Sequence, residues 1–150
     1  MKLAEALIIR ADLQTRLEQL RERMVANARV QEGEKPAEDP KGLLDELDQV
    51  TDQLEEIITK INLTNAATIV DGRSLTEMLA KRECSMQKIS VMRSFLDSAS
   101  NVVMRGSRME VKILSTIPVA ELRKETDHLS EELRKLDIKI QSLNWTTELR

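Results

Sequence analysis

A chain of 150 residues can bury roughly 70% of the surface its unfolded form exposes, so one domain over 1–150 needs no disulfide or metal staple. With one Phe, one Trp and no Tyr, its core must be filled by Leu, Ile, Val, Met and Ala, which argues for long helices and against a β-sandwich or an α/β enzyme. The formal charge of -3 mixes 26 acidic with 23 basic residues, leaving no broad basic surface for nucleic acid or an anionic membrane.

The first helix is expected over about 2–29, where Leu3, Ala6, Leu13, Leu17, Leu20 and Met24 recur at steps of three and four, interrupted by Arg10 at an inward position. Glu18, Arg21, Glu22 and Arg23 lie off that seam and read as a solvated face. From Ala28 to Gly42 the period fails. Gly33, Pro36, Pro40 and Gly42 mark a connection, whose ARVQ start could be extended over 28–31. The second helix, about 43–70, carries Leu43, Leu47, Val50, Leu54, Ile57 and Ile61, after which its seam turns polar at Thr64 and Thr68, flanked by Asn62 and Asn65. Gly72, after Asp71, can take the positive φ that closes a helix, and Ser74 stands three residues before Glu77 as in a capping box.

The third helix, about 74–105, uses Leu75, Leu79, Met86, Ile89 and Leu96, with Arg82 and Arg93 interrupting its seam and Met78 and Met92 on or beside it as core filler. Val111, Ile113 and Ile117 then alternate with polar neighbours up to Pro118, which predicts a strand over 109–116. The fourth helix, about 119–144, keeps Val119, Leu122, Thr126, Leu129, Leu133, Leu136, Ile140 and Leu143 on one stripe. Trp145 falls just past its end, where it could cover the end of a bundle.

Four such stripes joined by a loop, a tight turn and a strand imply an elongated, antiparallel up-down four-helix bundle. In that geometry segments 28–31 and 109–116 meet at one end and can pair as a two-stranded β-ribbon. The opposite end collects Asn62, Thr64, Asn65, Asp71, Arg73, Asn144 and Trp145. An arginine among amides beside a Trp could hold a small anion, and the same residues could instead cap helices and lock the tail.

No other constellation carries chemistry. Glu125 and His128 have the Glu-x-x-His spacing of carboxylate-bridged metal bundles, but this chain has one His, and Thr126 and Leu129 take the inward positions. The adjacent acids Glu55-Glu56 and Glu131-Glu132 diverge by about 100° on a helix and cannot act as an acid/base couple. No catalytic residue, cofactor or metal is expected. Cys84 cannot form an internal disulfide, MKLAEALIIRADLQ lacks the form of a signal peptide, and no apolar run approaches the roughly 20 residues that span a bilayer, so the expected location is the cytoplasm.

The segments MKLAEALIIRADLQTRLEQL, NARVQEGEKPAEDP, TNAATIVDGRSLTEMLAKR and NWTTEL resemble the septicolysin-like family over nearly the whole chain. The resemblance implies a bacterial source and a mostly helical protein, and the family name implies a membrane-active cytolysin. The residues themselves point first to a non-enzymatic helical scaffold or interaction protein that forms a homo-oligomer, through its β end or an exposed helical seam. A small-molecule or anion binder, or an enzyme, using the polar end is the alternative.

Overall fold

The computed structural model describes residues 1–101 and 112–150. The protein is mainly helical, with α1 over Leu3–Ala26, α2 over Pro40–Ala67, α3 over Leu75–Ser100 and α4 over Val119–Thr146. A small antiparallel sheet pairs β1, Ile69–Val70, with β2, Arg73–Ser74. The helices pair as in a bundle. By its contacts the chain forms two compact units, Met1–Leu75 with Leu143–Arg150, and Thr76–Ser142.

In the first unit α1 and α2 run antiparallel and bury Leu3, Ala6 and Leu20 against Leu43, Val50, Ile57 and Ile61, all on the predicted stripes. Each such leucine, isoleucine or valine contributes about 1.5–3 kcal/mol when fully removed from water. Helix α1 stops at Asn27, whose side chain is buried. Its Nδ2 donates to the Arg23 carbonyl at 2.8 Å, while its Oδ1 accepts from the Glu38 N–H at 2.9 Å, so one amide caps α1 and holds the returning chain. Between them, Gly33 at φ 87° occupies the third position of a type II turn closed by the Glu34 N–H on the Gln31 carbonyl at 3.0 Å.

Helix α2 then begins three residues earlier than its apolar stripe predicts. Pro40 is the first helical residue, where its missing N–H costs nothing, and the Asp39 carboxylate accepts from the Lys41 N–H at 3.3 Å. Pro40 and Gly42 are therefore part of the helix and not of the connection.

The ribbon lies elsewhere than expected. Residues 28–31 carry no strand, because Asn27 and the Gly33 turn claim that backbone; residues 112–116 carry none either, and 109–111 lie outside the described residues. Near the latter segment, the Ser115 hydroxyl bonds both the N–H and the carbonyl of Ile117, which bends the chain out of an extended path. The sheet forms instead at Asp71-Gly72. With φ of 53° and 76°, these two residues make the left-handed pair of a type I′ turn, whose twist matches a hairpin and not a helix terminus. Helix α2 consequently ends at Ala67, three residues short of the predicted 70.

In the second unit α3 and α4 run antiparallel, linked by Arg82 to Asp137 at 3.3 Å, Arg93 to the Ser130 hydroxyl at 3.2 Å, and Arg123 to the Ser100 hydroxyl at 3.0 Å. Met78, Ile89 and Leu96 are buried on α3, and Thr126 and Ile140 on α4. Met86 is half-exposed and does not fill the core. The third helix is described to Ser100, and the predicted extension over 102–105 falls outside the described residues.

Candidate functional site: the polar end of the first unit

The seven residues of the predicted polar end all belong to the first unit. Thr64 continues the apolar stripe of α2 and is fully buried. Its hydroxyl donates to the Lys60 carbonyl at 2.7 Å and accepts from the Arg150 N–H at 3.0 Å, so it joins α2 to the C-terminal tail. One turn on, Thr68 brings its N–H and its hydroxyl to the Thr64 carbonyl at 2.9 and 2.7 Å, and its own carbonyl accepts from the Leu75 N–H at 2.8 Å. The helix end, the hairpin and the start of α3 are thus closed by backbone bonds.

The tail is held at a second point. The Leu3 N–H donates to the Thr147 carbonyl at 2.9 Å and the Leu149 N–H to the Met1 carbonyl at 2.8 Å, around an antiparallel bridge between Lys2 and Glu148. The first turn of α1 has donors without intrahelical acceptors, and the tail supplies one for Leu3. The Lys2 ammonium and the Met1 amino group both bond the Glu148 carboxylate and hold it below its usual range.

The remaining members serve less. Asn144 is buried in the last turns of α4 and Asn65 is half-buried, whereas Asn62, Asp71 and Arg73 are exposed. Trp145 lies inside α4, which continues to Thr146, and not past its end; it is 58% exposed. The structure ties Thr64 to the tail and sets Asp71 and Arg73 either side of Gly72. Cavities of about 570, 360, 210 and 200 Å³ lie at other residues. Glu125 and His128 are both exposed on α4. Among the described residues no three His, Cys, Asp or Glu side chains are grouped to hold a metal ion.

A charged cluster that residue spacing did not reveal ties α1 to α2. Arg23 extends its guanidinium to both oxygens of Glu38, at 2.7 and 3.1 Å, and to Glu46 at 3.2 Å, while Arg16 reaches Glu46 at 2.9 Å. Arg23 is therefore not part of a merely solvated face. Its hydrogen bonds hold the Glu38 carboxyl below its ordinary value of 4.5, and Arg16, with Arg23 behind it, does the same for Glu46. The one local signal for this end of the unit was Asn27 following a helical stripe, since asparagine is a frequent helix terminator.

Comparison with known proteins supplies the family but no activity. The sequence profile of a family of unknown function, DUF6847, matches residues 10–149. A solved structure, that of a functionally unknown conserved protein from Corynebacterium diphtheriae, is similar over 100% of this chain and 99% of its own, at 37% identity and a TM-score of 0.92. No curated protein matches. These findings overturn the septicolysin resemblance, because the match along the chain is to a different family. Among the described residues no helix is long and apolar enough to cross a membrane.

Proposed function

Since the chain belongs to a family of unknown function, DUF6847, we propose from its own geometry that it is a non-enzymatic interaction protein of the cytoplasm that self-associates through its second unit. One observation carries this reading. Phe95, the single phenylalanine of the chain, is 50% exposed and shares a shallow cavity of about 200 Å³ with Ile113 and Leu114, the latter 76% exposed. Val91, one turn before Phe95 on the same face of α3, is exposed as well. Scattered exposed apolar residues need no explanation, but a contiguous group around an aromatic residue is what an interface core is made of. A second copy of the chain supplies the same apolar group in return, so a two-fold contact is self-complementary.

Light scattering on a size-exclusion column tests it. The wild type is expected to run as an oligomer, and the double variant Phe95→Asp, Leu114→Asp as a monomer with an unchanged helical circular-dichroism spectrum. A monomeric wild type at about 100 μM would sink the reading, as would an oligomer indifferent to the two aspartates.

The exposed guanidinium of Arg73, beside the Asp71-Gly72 turn, supports a second reading, in which the polar end takes a small anion. Calorimetric titration with inorganic phosphate decides it: saturable heat that disappears in Arg73→Gln supports it, and no heat removes it.

A further inference from the structure

The second unit holds a lined recess on residues other than those of the polar end. It has a volume of about 360 Å³ and opens between α3 and α4. Its apolar wall is made by Met86, Ile89 and Leu133, and Ser90 and Ser130 also line it. The two ionisable side chains that line it, Arg93 and Arg134, are both guanidinium groups. Arg93 interrupts the apolar stripe of α3, and only its contact with the Ser130 hydroxyl, at 3.2 Å, engages it among the described residues. Neither arginine has a carboxylate within 4 Å among those residues, in contrast to Arg16, Arg23 and Arg82. The acids Asp97 and Asp127 line a separate cavity of about 210 Å³, together with Arg123 and the other side of Arg93.

An apolar wall flanked by two guanidinium groups, with no acid in its lining and Glu131 acting on Arg134 only from outside it, has a defined complement. We propose that this recess binds a small amphiphilic carboxylate, an unbranched aliphatic acid whose chain lies along Met86, Ile89 and Leu133 while its carboxylate meets Arg93 and Arg134. The volume sits at the lower end of the roughly 300–1,000 Å³ of small-molecule sites, which suits a medium-length chain and not a diacyl lipid. The Arg93 fork is anchored by Ser130 on the facing helix, so part of the ordering of that side chain precedes binding. A planar carboxylate can accept paired hydrogen bonds from a guanidinium, and Ile89, buried on α3, gives the chain a dry contact. Self-association is not required for any of this, and the site lies on other residues than Phe95 and Leu114.

Titration calorimetry of the full chain with decanoate, and with decanol as the neutral chain of the same length, tests the inference. Decanoate is expected to bind saturably at one site per chain and more tightly than decanol. The double variant Arg93→Met, Arg134→Met retains the apolar stems and should weaken decanoate roughly tenfold or more, the worth of one charged hydrogen bond, while leaving decanol unchanged. Ser90→Trp, at an exposed position on the rim, keeps both arginines and should abolish decanoate binding by filling the recess, which guards against a double variant that fails to fold. No saturable decanoate heat up to 1 mM ligand (about a millimolar ceiling for a specific site) would overturn the proposal. So would equal affinity for decanol, or binding that survives Ser90→Trp in a folded variant.

Discussion

Thr64 shows how one side chain reconciles two demands. Its position on the α2 stripe calls for an apolar residue, and its methyl group meets that demand, while its hydroxyl returns one bond to its own helix and accepts one from the Arg150 N–H. Valine has the same shape without the oxygen. Thr64→Val is therefore expected to leave the packing intact, deprive the Arg150 N–H of its acceptor and cost about 1–2 kcal/mol, the usual charge for losing such a partner. The midpoint of urea unfolding reads this directly, and a midpoint equal to the wild type would show that the tail bond contributes nothing. Residues 64 and 150 are 86 positions apart, so no local pattern could have paired them, although the polar break in the stripe marked Thr64 as unusual.

Between elements, the contact of α1 with α2 depends on charge as well as on apolar stripes. Arg23 and Arg16 hold Glu38 and Glu46 in their ionised forms, and both carboxyls titrate lower in the folded protein than in the unfolded chain. Below the ordinary carboxylate range the unfolded chain takes up protons that the folded protein does not, and folding weakens. Their contribution is thus fully present above the ordinary carboxylate value of 4.5, and is lost as pH falls through the depressed folded values. Arg23→Gln should lower the thermal midpoint at pH 7 by a few degrees at most, because the pairs are solvent-accessible, and should flatten the decline between pH 5 and 3. Melting curves across that range check it: parallel declines in the two proteins would mean that other carboxyls govern acid unfolding. Salt at about 1 M should shrink the difference at pH 7, since screening acts on exposed pairs first.

At the scale of the molecule, the first unit is assembled from both ends of the chain, with Leu143–Arg150 joining Met1–Leu75. The tail supplies the acceptor for the Leu3 N–H, a partner for the Met1 carbonyl and the donor for Thr64. Removing residues 147–150 should therefore raise amide hydrogen exchange at Leu3 and lower the overall melting temperature, with Leu20 and Val50, deep in the α1–α2 contact, remaining among the protected amides. Exchange at Leu3 unchanged by the deletion would show that the first turn of α1 is held by other means.

Four helices and their apolar faces were legible in the residues, because Leu, Ile and Val at steps of three and four can be buried in only one way on a helix. The Thr64 interruption and the special character of Asp71-Gly72 were legible too, but not their use. An Asp-Gly pair permits positive φ at both residues, and only the antiparallel pairing of Ile69 with Ser74 decided that it turns a hairpin. Pro40 was read as a breaker because a proline ends one helix and begins another equally well, and the choice depends on the Asp39 cap beside it. The tail clamp, the Arg23 fork and the recess between α3 and α4 were settled by tertiary structure alone. Each joins residues from separate segments, and electrostatic or hydrogen-bonding partners leave no periodic mark on a chain when packing, and not spacing, brings them together.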